Sequence, residues 1–560
     1  MPVVVRLLSD FAVVRADFCY SLGMADARMM TMDEAVALLA AGERTLALGG
    51  NSLHRVPHAF VQRLARREDL RLHLVKTAGA YDIDLLSLAG LVASVSAGFV
   101  GYETEFGLAR HYRRGVESGA IAAREHACYT VISALRAASY GMPFMPANAL
   151  QNSDLIAARG FASVDNPYPD AETKGAAVSG SYVAVPAIVP DLAVLHVQYA
   201  DEYGNGVIIG PKNEDLLMAR AARQVVLTTE RVVPTGDLPV SLDHVDIPGV
   251  LVTAVVHAPG GAAPGSCAGE YGVDADAVRE LIELDGREAL LAHLESRRSP
   301  GSRTVPAPGH AAGPTAEPVP AVPAADFMAV AMARLLRDSS NVFHGLASPL
   351  PAVAIALARH LHNPQLRYLN IAGGVDILPA GLAVSTCAPS FLNGSRSFFS
   401  LTDIFDLSAR GELDTAFLGG VQVDRSGAIN NSVIGPFDHP KVKLPGGAGS
   451  AAIVPSARRT IVWRTRHDPR SIVEQVQFAT ARGNVGEVVT PLGVLVMEDG
   501  ELRIGGVFSI SSEEEIRRET GFAISRARDF RLLDDPSPEE RAALAELDPQ
   551  GVRYSEFAGR

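Results

Sequence analysis

The sequence predicts an α/β fold made of two related open halves that pack together. Two observations support this prediction. Short runs of Val, Ile and Leu alternate with amphipathic helical segments along the chain, and similar segments recur in the same order in its two parts. Continuous apolar runs of four to eight residues are typical of strands buried on both faces, so we expect mostly parallel sheets.

Each part contains its own set of predicted elements. In the first part we predict strands at 45–50, 70–76, 93–98, 192–198 and 224–229, and helices at 32–41, 57–67 and 215–223. In the second part we predict strands at 366–372, 415–423, 460–463 and 492–497.

Pairs of similar segments relate the two parts. VQYADEYGNGVIIGP at 197–211 resembles VQVDRSGAINNSVIGP at 421–436, and LRLHLVKTAGAYDI at 70–83 resembles LRYLNIAGGVDI at 366–377. A weaker third pair is HAPGGAA at 257–263 and KLPGGAG at 443–449. Their common order predicts two α/β halves fused head to tail. Two independent domains that share only turn chemistry are the alternative.

The segment 299–323 marks the boundary between the halves, because it holds seven prolines and three glycines and cannot propagate a helix or a central strand. We predict a linker there. The predicted organisation is an N-terminal extension at 1–30, a first half at 31–298, the linker, a second half at 324–533 and an acidic C-terminal tail at 534–560.

Composition excludes several classes of protein. The chain has 560 residues, a net charge of −13 and 48% hydrophobic residues, which argues against a disordered chain and against a nucleic-acid partner. Its four cysteines form no CxxC pair, and its histidines show no metal-ligand spacing, so we expect neither disulfides nor a metal. No apolar run approaches the roughly 20 residues of a membrane span, so we expect a cytoplasmic protein without a membrane partner. The oligomeric state stays open, a homo-oligomer included.

Two glycine-containing turns are candidate binding sites, because glycine lets backbone amides approach an anion or a developing oxyanion. The first follows a predicted strand and would form the oxyanion or acyl site: Gly49, Gly50 and Asn51. The second is a glycine loop flanked by lysines that can pair with phosphate: Gly446, Gly447 and Gly449, with Lys441 and Lys443. The alternatives are a tight turn and a surface connector.

Two acids of one turn are candidate catalytic residues. Glu103 and Glu105 lie in a glycine-punctuated turn after a predicted strand, where a carboxylate can act as nucleophile or general base. We expect Asp82 and Asp84 to lie on an exposed helix face.

Taken together, several motifs resemble the family I CoA-transferases, in particular the glutaconate CoA-transferase type with its α and β subunits fused in one chain. GGNSLHRVP at 49–57, GFVGYE at 98–103 and GMPFMPANALQNSDL at 141–155 resemble the α subunit. FLGGVQVDRSGAINNSVIG at 417–435 and LPGGAGSA at 444–451 resemble the β subunit. The resemblance implies the CoA-transferase fold, with an active site between the halves.

The family's chemistry, as the resemblance implies it, moves CoA from an acyl-CoA to a carboxylic acid through a glutamate of the β half. That glutamate is missing here, because the corresponding turn reads Ile371-Ala372-Gly373-Gly374. The family also contains a hydrolase that opens a ring of a steroid-derived CoA thioester with an acid from the α half. For that acid this part of the chain offers Glu125, our third catalytic candidate, although the position that aligns best falls near Cys128.

Three functions are therefore open. The leading hypothesis is an enzyme that transfers CoA between an acyl-CoA and a small carboxylic acid, with coenzyme A as part of the substrate and no tightly bound cofactor. The first alternative is a hydrolase or carbon–carbon bond-cleaving enzyme that acts on an acyl-CoA. The second is an inert CoA-binding protein.

Overall fold

The first half is built around a nine-stranded sheet. Residues 28–168, 180–296 and 323–557 are described by this computed structural model. All neighbouring strands of the first sheet run parallel except Gly206–Val207, which pairs antiparallel with Leu192–Ala200. The order of the other strands across the sheet is Arg28–Met29, Ala254–His257, Gln224–Val232, Leu192–Ala200, Gly42–Leu48, Leu70–Gly79, Val92–Val100 and Ala122–Ala123.

The second half is built around a ten-stranded sheet with a parallel centre and antiparallel pairs towards both edges. Its order is Ser397–Phe398, Gly374–Val375, Arg367–Asn370, Asn341–His344, Thr415–Gly419, Arg459–Trp463, Val485–Thr490, Gly493–Glu498, Glu501–Val507 and Arg526–Leu532. These two sheets confirm the predicted α/β fold with mostly parallel strands.

Helices cover both sheets. In the first half they are Met32–Ala37, His58–Leu64, Tyr81–Leu88, Glu103–Phe106, Arg110–Glu117, Cys128–Ser139, Leu155–Arg159, Asp215–Ala221, Ala275–Glu283 and Arg287–Ser296. In the second half they are Pro323–Arg334, Pro349–Leu357, Leu401–Ala409, Ser450–Ser456, Glu513–Glu519 and Pro538–Leu547. None of the helices in these described ranges has the length and apolar character of a membrane span.

Smaller elements complete the fold. A three-stranded sheet of the first half consists of Phe144–Ala147, Ser181–Pro186 and Ala162–Asp165. In the second half, Ile429–Asn430, Gln422–Asp424 and Ile472–Val473 form another such sheet, and Val433–Ile434 pairs with Val442–Lys443. Short 3₁₀ or π turns are Thr235–Asp237, Leu242–His244, Gly249–Leu251, Ala358–His362, Pro379–Gly381, Pro389–Leu392 and Val552–Phe557.

Two of the three repeated segments occupy equivalent places in the two sheets. Leu70–Gly79 and Arg367–Asn370 each lie on one side of their half's central strand. The segments 197–211 and 421–436 lie at or just after the ends of Leu192–Ala200 and Thr415–Gly419, which each lie on the other side of the central strand. The third pair is not equivalent, because His257 ends a strand of the first sheet whereas Lys443 lies in a separate two-stranded pair. That weaker match reflects glycine-turn chemistry alone.

The predicted boundaries differ from the structure at both ends. Arg28–Met29 already pairs with Ala254–His257, although we assigned it to the extension, of which 1–27 lies outside the described residues. Of the predicted linker only Pro323 is described, where the helix Pro323–Arg334 begins. The segment predicted as a tail packs on the second half, since Arg334 binds Glu540 at 2.6 Å and Arg553 binds Asp326 at 2.6 Å.

Asp82 and Asp84 are buried, which corrects our expectation of an exposed helix face. Asp82 forms an ion pair with the buried Lys76 at 2.7 Å. Asp84 accepts hydrogen bonds at 2.7 and 2.8 Å from the backbone amides of His111 and Tyr112, in the first turn of the helix Arg110–Glu117. A carboxylate at that place satisfies helix amides that lack a partner within the helix.

Candidate active site

A cavity of about 250 Å³ lies where the two halves meet. Its second-half wall follows the carboxyl ends of the strands Asn341–His344 and Thr415–Gly419, which are neighbours in the sheet but not in the chain. Ligands of open α/β sheets bind at such a change of strand order. Ala78 and Phe99, near the ends of two strands of the first sheet, line the opposite side. Both halves therefore contribute to one site.

The wall of the cavity is mainly apolar. It includes the rings of Phe99, Phe343, Phe405 and Phe417 and the side chains of Ile371, Leu401 and Leu418. Polar side chains in it are Asn51, Cys128, Asn431, Ser450, Trp463, Arg464, Thr465 and Glu556. A mostly apolar pocket with a few polar groups is typical of a small-molecule site.

The glycine loop 444–449 joins the halves by backbone hydrogen bonds. Val100 donates to the carbonyl of Pro445 and Ala448 donates to that of Gly98, both at 2.8 Å. At Gly446 the φ angle is +102°, and a Cβ there would lie 2.5 Å from the Gly98 oxygen. Glycine at 446 is therefore required by the close approach of the two backbones.

The same loop offers hydrogen-bond donors to the cavity. In the described part of the chain, the amides of Gly447 and Gly449 have no acceptor, while the Gly446 amide donates to Asn431 at 2.9 Å. The buried hydroxyl of Ser450 also has no partner in that part of the chain. All three residues line the cavity, so they can donate to an oxygen on which negative charge develops.

The other glycine turn is engaged in the fold. The amides of Gly49, Gly50 and Asn51 donate to Val194, to the carboxylate of Asp215 and to His54 respectively. None of these amides faces the cavity as a free donor. The side chain of Asn51 does line the cavity, and it donates to Thr77 Oγ1 at 3.2 Å.

Glu103 is buried at the junction of the halves, next to the cavity rather than in its wall. Its carboxylate accepts hydrogen bonds from Ser385 Oγ at 2.9 Å and from the Thr386 amide at 3.1 Å. Burial raises the pKa of Glu103, and hydrogen bonds to the carboxylate oppose that shift. Glu103 therefore anchors the second-half loop at 385–386. The following residue, Cys387, contacts Asn51.

Glu105 and Glu125 do not line the cavity. Glu105 is half-buried with Arg279 3.9 Å from its carboxylate, and burial raises its pKa. Glu125 forms a buried ion pair with Lys443 at 2.5 Å and accepts from Ser432 Oγ. This pairing occupies Lys443, which we had predicted to face phosphate, whereas Lys441 is exposed.

Cys128 reaches the cavity from the first half at the start of the helix Cys128–Ser139. Its Sγ lies 3.5 Å from the carbonyl oxygen of Thr77, whose amide and hydroxyl donate to Glu214. Burial raises the pKa of both the Cys128 thiol and the Glu214 carboxyl. Cys128 thus stands in the cavity as a neutral thiol.

Ile371 lines the cavity at the turn where the resemblance implies a nucleophilic glutamate. Its side chain is partly buried against the apolar core and offers no atom that can attack a thioester. Among the described residues that line the cavity, Glu556 supplies the one carboxylate and Arg464 the one permanent cation.

One group of the described residues has the spacing of a metal site: His196, Glu230 and Cys267. Hydrogen bonds already engage the side chains of two of them, since His196 contacts Thr228 at 2.9 Å and Glu230 at 2.8 Å, and Glu230 accepts from Tyr271 at 2.6 Å. The geometry explains His196 and Glu230 as part of a buried hydrogen-bond network within the first half.

Sequence reasoning missed part of this wall. Ser450 is the last residue of the predicted glycine loop, but we assigned it no role there. Glu556 lies in the segment predicted as a tail, and Arg464 directly follows a predicted strand. Nothing in the local sequence indicates that Glu556 and Arg464 line the same cavity.

Comparisons with known proteins agree with this geometry. A sequence model of the family described as Coenzyme A transferase matches residues 29–258 and 326–519. The acyl-CoA transferase YdiF of Escherichia coli O157:H7 superimposes with a TM-score of 0.66 over 91% of this chain and 96% of that chain. At 16% identity this likeness shows the fold alone.

Three relatives each match less than half of the chain. The cholesterol ring-cleaving hydrolase IpdA subunit of Rhodococcus jostii is 33% identical, over 46% of this chain and 86% of that protein. One of the two glutaconate CoA-transferase subunits of Acidaminococcus fermentans is 28% identical, over 44% of this chain and 80% of its own length. An uncharacterized protein of Archaeoglobus fulgidus is 32% identical over 47% of this chain, and the match spans only 57% of that protein.

Proposed function

Because the chain belongs to the coenzyme A transferase family, we propose that it is an enzyme that cleaves an acyl-CoA with water. The acyl group would lie in the cavity between the halves. The bond broken is either the thioester or a carbon–carbon bond of the acyl group.

This proposal depends mainly on Ile371, which stands where the family has its nucleophilic glutamate. An alkyl side chain forms neither the acyl anhydride nor the glutamyl-CoA thioester that transfer through this position requires. The Ile371 side chain lies in the cavity wall, so the site itself lacks the nucleophilic carboxylate at this position. Without a covalent carrier for CoA, a water molecule is the simplest acceptor.

The donors of the glycine loop support the same chemistry. When water adds to a carbonyl of the acyl-CoA, negative charge develops on the carbonyl oxygen. The amides of Gly447 and Gly449 and the Ser450 hydroxyl, which line the cavity, would stabilise that charge. One such donor contributes roughly 10²–10³ in rate in other enzymes.

A relative supports cleavage by water, since the Rhodococcus jostii protein is called a ring-cleaving hydrolase. The glutaconate CoA-transferase relative favours the second candidate, transfer of CoA to a small carboxylic acid. Transfer would then need a carboxylate other than the one missing at 371. For the phosphates of CoA, the exposed Lys441 is our candidate contact.

Steady-state kinetics with and without an acceptor acid distinguish the candidates. We expect CoA release or acyl-group cleavage from acyl-CoA substrates without any added carboxylic acid, and no borohydride-sensitive adduct on a glutamate. The variant Ile371→Glu provides the contrast, because it can form that adduct. The matched control is Ile371→Val, which keeps the apolar wall.

Strict dependence on an acceptor acid, together with a glutamyl-CoA adduct on the wild-type chain, would establish transfer instead. Tight CoA binding without turnover of any acyl-CoA would indicate an inert CoA-binding protein.

A further inference from the structure

The C-terminal segment 534–557 adds a wall to the cavity from outside the family match. That match ends at residue 519, and the chain continues through the helix Pro538–Leu547 to the turn Val552–Phe557. Arg553 fixes the turn, because its guanidinium binds Asp326 at 2.6 Å and Asp548 at 2.8 Å. This anchoring brings Glu556 into the lining of the cavity.

Glu556 is held there by two donors. Its Oε1 accepts a hydrogen bond from Trp463 Nε1 at 2.9 Å, and its Oε2 accepts one from the Leu350 amide at 3.0 Å. Leu350 lies in the first turn of the helix Pro349–Leu357, where amides lack partners within the helix. These contacts fix the orientation of the Glu556 carboxylate.

The charges of the cavity wall balance. Arg464 directly follows Trp463 in the chain, and it lines the cavity together with Glu556. The rest of the described lining contains no Asp, Glu, Lys or Arg, so the wall has no net charge. A carboxylate on the acyl group would enter a mainly apolar space whose wall offers no net positive charge, and burying such a group is costly.

We propose that Glu556 is a specificity-determining residue that makes the cavity select uncharged acyl groups over acyl groups that end in a carboxylate. This selectivity proposal rests on the proposed function, since it concerns the acyl group bound in the same cavity. The Glu556 carboxylate repels a carboxylate on the acyl group, and loss of the Glu556 charge would remove this repulsion from the described lining.

Binding of two four-carbon acyl-CoA molecules tests this selection independently of turnover. Butyryl-CoA is uncharged at the end of its acyl group, whereas succinyl-CoA carries a carboxylate there. Trp463 is the only tryptophan of the chain and lines the cavity, so its fluorescence reports binding directly. The measurement compares the two dissociation constants for the wild type, for Glu556→Gln and for Glu546→Gln.

We expect the wild type to bind butyryl-CoA at least about tenfold more tightly than succinyl-CoA, because one unbalanced buried charge is worth a tenfold change or more. In Glu556→Gln the ratio should fall by about tenfold, mainly through tighter binding of succinyl-CoA. Glu546→Gln removes the same charge from an exposed position of the same segment and should keep the wild-type ratio.

Equal or tighter binding of succinyl-CoA by the wild type would overturn the proposal, and so would an unchanged ratio in Glu556→Gln or binding of neither acyl-CoA. If butyryl-CoA binds selectively but is never cleaved, the selection stands and the proposed hydrolysis fails. If Glu556→Gln abolishes cleavage while both dissociation constants stay unchanged, Glu556 acts in the reaction rather than in selection.

Discussion

Glu125 and Lys443 form a buried ion pair between the halves, although we predicted each of them for chemistry or phosphate binding. Their side chains are 3% and 2% exposed, so neither can meet a substrate without disrupting the pair. Such burial depends on which segments meet in the fold. The local sequence around each residue could not indicate it, because the partners are far apart in the chain.

Glu125→Gln should lower the free energy of unfolding by about 3–5 kcal/mol, because it leaves the Lys443 ammonium buried without its counter-charge. Urea denaturation measures the loss. The exposed Glu501→Gln is the matched control and should change stability by less than about 0.5 kcal/mol. A Glu125→Gln variant as stable as the control would contradict the structural role assigned to this pair.

Replacement of Glu103 tests a second buried carboxyl. Burial raises its pKa above the ordinary value of 4.5, so the folded state loses stability as the pH rises from 4.5 through the raised pKa. Glutamine does not ionise and escapes this loss. We therefore expect the stability deficit of Glu103→Gln, measured by urea denaturation, to be smaller at pH 8 than at pH 5.

A deficit that grows with pH would show that the folded state favours the Glu103 carboxylate over the neutral acid.

Turnover tests whether Glu105, another of our catalytic candidates, takes part in the reaction. Glu105 lies outside the cavity wall, so Glu105→Gln should keep turnover within about twofold of the wild type. A loss of orders of magnitude there would restore Glu105 as a candidate base.

At the scale of single elements, the glycine loop 444–449 combines two tasks. Gly446 permits the backbone contact with Gly98, while Gly447 and Gly449 present amides to the cavity. The sequence predicted free amides in this loop from its glycines. It could not separate the glycine needed for docking from those that face the site, because that difference depends on the opposite strand.

Gly446→Ala should cost about 1–3 kcal/mol of stability, because alanine is strained at this φ angle and its Cβ would meet the Gly98 oxygen. Displacement of the loop should also lower kcat by roughly 100-fold. Gly236→Ala is the control, since a Cβ there has open space. Wild-type kcat in Gly446→Ala would contradict the role of this loop in the site.

The sequence predicted the strands more accurately than it predicted the structure of the C-terminal segment. Every predicted strand overlaps an observed one, because buried parallel strands carry the continuous Val, Ile and Leu runs on which the prediction depended. The C-terminal segment has an acidic composition, which suggested a tail. Its packing depends on a few tertiary contacts, such as Arg334 with Glu540 and Arg553 with Asp326.

For the whole molecule, one hydrophobic core crosses from the first half into the second. Tyr129 and Ile132 of the first half belong to the same buried cluster as Phe405 and Ile453 of the second. The Tyr129 and Phe405 rings stack with their centres 5.8 Å apart, and Arg136 binds Asp406 at 2.9 Å. The covalent connection between the halves is therefore not what holds them together.

Coexpression of residues 1–298 and 323–560 as two chains tests this shared core. We expect them to elute as one stable complex in size-exclusion chromatography, because separation would expose the buried apolar faces of both halves. Elution as two folded, separate proteins would contradict a common core. The second half expressed alone should aggregate.

Turnover in ¹⁸O-labelled water tests most directly the central claim that the enzyme cleaves an acyl-CoA with water. Mass spectrometry of the released product should show one ¹⁸O atom in the carboxylate formed by cleavage, with no carboxylic acid added. Products without ¹⁸O, formed only when an acceptor acid is present, would contradict hydrolysis and establish transfer of CoA in its place.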